Sequence, residues 1–193
     1  MSTQSQEIPA ESQQLSMHPK KFAMWLFMVS VVMIFGALTS AYIVRQAEGN
    51  WYIFDLPDIF YYSSAIILAS SGTLVWAHRA AMRDEFKQLQ LAMGLTAILG
   101  IAFLAMQYYG WVYLVDISVY FVGNPSGSFL YVLTGLHAAH LISGLVFILI
   151  VLVRSFKFKV HSKSMVQFQM CATYWHFLDA LWLYLFLFLL LNR

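Results

Sequence analysis

The chain has 193 residues, of which 61% are hydrophobic, 17% aromatic and only 10% charged, whereas average globular domains carry roughly 25% charged residues. That composition excludes a water-soluble globule, a secreted disulfide scaffold and disorder over most of the length. The net charge of +2 is too small to mark nucleic acid as a partner, and the single cysteine, Cys171, has no internal disulfide partner and sits in an apolar run, where it reads as a small packed hydrophobe.

The first 20 residues hold Gln and Ser with Glu7, Pro9 and Glu11; they carry too little apolar surface to fold alone and are expected to form a disordered polar tail over 1–20. Residues 21–193 are expected to form one membrane domain. A hydrocarbon core about 30 Å thick asks for roughly 20 apolar residues per helix. Five runs meet that length, at about 22–44, 59–77, 89–115, 129–153 and 165–191, and only the last contains a formal charge, Asp179. Because the first run is longer than a signal-peptide core, it is expected to stay as a span. The runs are continuous rather than alternating, which predicts an all-α five-helix bundle over a β-barrel. The loops between them are too short to hold a soluble domain, so function must reside in the membrane or with a partner.

Orientation follows from Lys and Arg. Lys20, Lys21, Arg79, Arg83, Lys87, Arg154, Lys157, Lys159 and Lys163 fall on one side, against Arg45 and Arg193 on the other, which predicts a cytoplasmic N-terminus and an outer C-terminus. The outer loops hold Glu48, Asp55, Asp58 and Asp116.

Chemistry-capable side chains concentrate in two places. The fourth span reads Gly135-Leu136-His137-Ala138-Ala139-His140, with Gly144 beyond, and the fifth reads Tyr174-Trp175-His176-Phe177-Leu178-Asp179, then Trp182. Each carries a polar pair at i, i+3 near the bilayer middle, on helices joined by a short loop, where ionisable groups mark a functional site by default. Spacing alone leaves three readings open. His137, His140, His176 and Asp179 supply four N and O ligands to zinc, iron or copper, as a free-standing metalloenzyme would need; or one histidine per helix ligates a haem; or the groups hydrogen-bond between helices. Small residues at helical spacing, including Ser30 and Ser40 in the first span and Gly135, Ala139, Ser143 and Gly144 in the fourth, are candidates for close helix packing. Trp25, Trp51, Trp76 and Trp111 lie near span ends as an interfacial belt. A Gly-rich phosphate loop, His-Glu-x-x-His, Cys-x-x-Cys and Cys-x-x-Cys-His are all absent from the sequence, so it shows no machinery for ATP-driven or soluble-type catalysis.

From about Lys20 onward these segments resemble subunit III of the haem-copper respiratory terminal oxidases, cytochrome c oxidase and quinol oxidase, in a short five-helix form. The most specific pieces are Gly135 to Gly144 and Tyr174 to Trp182, in that order on the last two spans; Met24-Trp25-Leu26-Phe27 with Ser30, and Gly100, Phe103-Leu104 and Gln107, are weaker matches. The resemblance implies an accessory subunit of a bacterial plasma-membrane complex, with no catalytic centre, haem or copper of its own. It also implies direct packing on subunit I, company with subunit II and other oxidase subunits, bound structural phospholipid, and support for oxygen access and proton uptake; membership of a respiratory supercomplex is left open. On that reading His137, His140, His176 and Asp179 are internal hydrogen-bonding and lipid-cleft residues. Two departures stand out: many members have Ser-Glu where this chain has Ser30-Val31, and a Glu where it has Gly110. Longer relatives also carry two more N-terminal helices, for which the tail before Phe22 is expected to leave no room.

Overall fold

A computed structural model describes residues 19–49, 51–52, 56–156 and 165–192. The tail over 1–18, Asp55, Lys157, Lys159, Lys163 and Arg193 lie outside the described residues. Five α-helices account for nearly all of the rest: α1 Pro19–Ala47, α2 Ile59–Met82, α3 Phe86–Asp116, α4 Pro125–Phe156 and α5 Val166–Leu191. All five are long and apolar enough to cross a bilayer, and no strand occurs among the described residues. The expectation of an all-helical five-span protein therefore holds. Most helices exceed the charge-free runs by a few residues, because a helix continues into the interfacial zone where charge is tolerated.

Local chemistry sets the ends. Proline opens α1 and α4, where its missing N–H would be unpaired in any case. Before α4, the Asn124 side-chain oxygen accepts from the Ser126 amide at 2.9 Å, which caps the helix. At the end of α2 the amide of Glu85 reaches back to the Ala80 carbonyl at 3.0 Å and that of Asp84 to Ala81 at 3.3 Å; at the end of α3, Val119 reaches Leu114 at 2.9 Å and Ser118 reaches Val115 at 3.0 Å. Both are the paired closing bonds that need a left-handed residue at the helix exit. Here that residue is Asp84 at φ 55° and Ser118 at φ 64° rather than glycine.

The helices α2, α3, α4 and α5 form a closed ring in which each touches the next, while α1 lies outside it against α4 and α5 only. Among the described residues α1 makes no contact with α2 or α3. The core of the ring is largely aromatic, with Trp175, Trp182, Phe60 and Phe103 all fully buried. The outside is apolar as well: Phe22, Val32, Met33, Leu68, Leu91, Ile98, Ile101 and Leu149 are all exposed. An apolar shell around a close-packed interior is what hydrocarbon as solvent selects.

Two glycines let the helices close on that core. A Cβ on Gly100 would lie 2.7 Å from Trp175 Cη2, and one on Gly144 would lie 2.9 Å from Leu178 Cδ1 and 3.4 Å from Trp175 Cε3. The missing side chain at Gly100 makes room for the indole of Trp175, and that at Gly144 makes room for Leu178.

Candidate functional site

The interior polar groups are organised by α2, whose serines face α5. Ser64 Oγ accepts from Trp182 Nε1 at 2.9 Å, Ser70 Oγ accepts from Trp175 Nε1 at 3.0 Å, and Ser71 Oγ lies 2.6 Å from His176 Nδ1. Ser64 and Ser70 in turn donate to the carbonyls of Phe60 and Ile67 one turn back, at 2.7 Å each, so each hydroxyl is oriented before it meets α5. The seam continues to α3, where Gln107 Nε2 donates to Ser63 Oγ at 3.1 Å and Thr73 and Thr96 share a bond of 2.8 Å. Between α3 and α4, Trp111 Nε1 donates to Thr134 Oγ1 at 3.0 Å. Each such bond between helices contributes roughly 0.6 kcal/mol in a bilayer; their larger effect is to fix register, since each indole has one hydroxyl to meet.

The four side chains singled out from the sequence do not meet as one set. His137 is fully buried between Trp182, ring centroids 5.2 Å apart, and Phe103, 6.0 Å and edge-on. His140 leaves α4 toward α1 instead, 6.2 Å from Phe27 and 5.9 Å from Phe35, with its Nδ1 2.7 Å from the Leu136 carbonyl. His176 faces α2 and bonds to Ser71 rather than to Asp179, whose two oxygens are buried without a hydrogen-bond partner among the described residues. Both nitrogens of His137 and Oε1 of Gln107 are likewise buried without a partner among the described residues.

No three His, Cys, Asp or Glu side chains converge to hold a metal ion among the described residues. Among the described residues the four side chains therefore do not present a four-ligand site.

The small residues divide. Gly144 is buried at the α4–α5 contact. Ser143 is exposed yet bonds to the Tyr174 hydroxyl across to α5 at 2.8 Å. Gly135 only grazes α3, since a Cβ there would lie 4.0 Å from Trp111 Cζ2. Ala139, Ser30 and Ser40 face outward, so any packing they support is with another molecule. The serines of α2, in sequence small residues suited to helix packing, take specific indole and imidazole partners on α5, and Gly100, the seat of Trp175, is the determinant that helical spacing alone does not single out.

The two positions where the resemblance leads one to expect an acid are closed by packing. Val31 is buried one turn from both Phe27 and Phe35, on the α1 face that meets His140. A Cβ on Gly110 would lie 3.0 Å from Phe60 Cε1 and 3.2 Å from Ile59 Cγ2, so any side chain there would require those two side chains of α2 to give way.

Residues 52–192 match the family model for cytochrome c oxidase subunit III. The chain belongs to that family. Among relatives, the probable cytochrome c oxidase subunit 3 of Rickettsia bellii (strain RML369-C) is 32% identical over 191 residues, covering 89% of this chain and 68% of the relative. The cytochrome c oxidase subunit 3 of Bacillus sp. (strain PS3) is 29% identical over 172 residues, covering 86% and 83%, and that of Osphranter robustus is 36% identical over 127 residues, covering 64% and 46%. This chain thus spans less than half the length of the last relative. Membership of the family, with the five spans, makes it a multi-pass membrane subunit of an oxidoreductase complex.

Proposed function

We propose that the chain is the accessory, non-redox subunit of a haem-copper terminal oxidase in a bacterial plasma membrane, with its N-terminus in the cytoplasm. The observation that carries this reading is the dispersal of His137, His140, His176 and Asp179 toward different neighbours. Among the described residues each of them packs against a different neighbour, which supports a role in holding the helix bundle together. Haem and copper then reside in partner subunits, and oxygen reduction takes place on subunit I, against which this chain packs.

The physical contribution of such a subunit is shape and solvent. A rigid ring of four helices with an apolar exterior offers subunit I a fixed lateral wall and holds phospholipid against its exposed aliphatic side chains. Hydrocarbon dissolves oxygen better than water does, so lipid held there gives the substrate a route to the reacting subunit. Support for proton uptake, in this reading, comes from the basic cytoplasmic ends, since Val31 and Gly110 offer no acid. The lone membrane acid, Asp179, is enclosed within the bundle.

The test is purification of the tagged chain from its native membrane in a mild detergent. The expected result is a stoichiometric haem-copper subunit together with retained phospholipid by intact-complex mass spectrometry. A chain that purifies alone, or that carries stoichiometric metal or a haem Soret band by itself, overturns the reading.

A further inference from the structure

The first helix is held differently from the other four. Only Met28, Val31, Phe35, Thr39 and Tyr42 of its 29 residues are buried, on a single stripe, whereas the shorter α2 buries nine of its 24. Among the described residues it touches α4 and α5 alone, and the bonds that close the ring, from Ser70 and Ser71 on α5 to Thr134 on Trp111, run without it. Four hydrogen bonds tie α1 to α5, and each has a substitute when α1 leaves. Lys21 Nζ donates to Gln169 at 3.0 Å and Gln46 Nε2 donates to the Asn192 carbonyl at 3.0 Å, near the two ends of the helix, where water can take over. Tyr42 donates to that same carbonyl at 2.9 Å, and its hydroxyl suits the interfacial zone. Thr39 meets Tyr184 at 3.0 Å but also donates to the Phe35 carbonyl of its own helix at 2.9 Å. The ring lacks such substitutes: the lone N–H of Trp175 and that of Trp182 each meet a serine of α2 inside the span, and opening the ring strands both donors in hydrocarbon.

We infer that α1 is a detachable arm: it unseats from α4 and α5 as a unit while α2–α5 stay closed, and it is the last element to dock. A released α1 stays helical, because a helix in lipid satisfies its own backbone groups. Few buried side chains and replaceable bonds are what give a segment an opening free energy below that of the whole fold. Chain order has the same consequence during synthesis. α1 is made first and its seat, built from α4 and α5, last, so α1 waits in the bilayer as a lone span until α5 is in place.

Two thiols in one full-length chain in mild detergent test this: the native Cys171, buried in α5, and a cysteine at Val31, 1% exposed in the α1 seat. A small permeant thiol reagent is expected to modify Val31→Cys severalfold faster than Cys171. On titration with SDS the thiol at 31 is expected to become fully reactive at a lower SDS fraction, with no loss of helical circular dichroism at that step. Met28→Cys, on the same buried stripe, should report the same order, and it stands in if the change at Val31 disturbs the seat. Tyr42→Phe combined with Gln46→Leu removes both bonds onto the Asn192 carbonyl; it should move the first transition to lower SDS and leave that of Cys171 where it was. Ser70→Ala, within the ring, should lower the transition of Cys171. Coincident transitions of the two thiols, Cys171 reacting first, or helix lost at the first step would each overturn the detachable arm.

Discussion

His137 and Trp175 show what a single position does in this protein. His137 is enclosed by Phe103 and Trp182 with both nitrogens unpaired among the described residues, and replacing an unpaired buried polar group by an apolar one of similar shape is close to neutral. His137→Phe is therefore expected to leave thermal stability and oxygen consumption of the complex within error; a lost metal centre would show that the imidazole is a ligand after all. Gly144→Val acts in the opposite sense. Its Cβ alone would lie 2.9 Å from Leu178 Cδ1, and overpacking of this kind costs about 1–3 kcal/mol, to be read as a lower thermal midpoint in detergent. Ser118, held at φ 64°, is a third case: Ser118→Gly relieves the left-handed strain and is expected to stabilise by about 1 kcal/mol, with an unchanged midpoint contradicting the argument.

At the scale of the helix, the five spans were legible because a continuous apolar run long enough for a bilayer has few other readings. Their partners were not. His137 and His140 lie three residues apart, about 60° around α4, which is enough to send one ring into the aromatic core and the other toward α1; no spacing rule says where α1 will stand. The same holds for the serines of α2, which in sequence look like generic small residues and in the fold accept from Trp175 and Trp182. The turns were illegible for another reason, since the left-handed exits fall on Asp84 and Ser118 where glycine would have announced them. Because the seam is built of separate bonds, Ser64→Ala and Ser70→Ala are each expected to lower stability by about 0.5–2 kcal/mol through an unpaired buried indole N–H. Their effects should add in the double variant, measured by unfolding in mixed micelles. Strong non-additivity would show that the two indoles move as one unit.

For the whole molecule, the charge asymmetry and the apolar shell describe a protein built to lie across a bilayer with hydrocarbon as its solvent. The asymmetry sets a direction that labelling can read cleanly, because the single cysteine, Cys171, is buried. A cysteine introduced at Val122, exposed beyond α3, is expected to react with an impermeant thiol reagent in intact cells, and one at Arg83 only after the membrane is opened; the reverse pattern would invert the topology. The central claim is that this chain stabilises and supplies an oxidase without taking part in its electron transfer, and removal of the chain tests it most directly. An oxidase stripped of this chain is expected to keep its full haem and copper content and to begin consuming oxygen at a rate near that of the intact complex, then to lose activity faster over successive turnovers. Loss of a metal centre on removal, or no oxygen consumption from the first moment, would contradict the account.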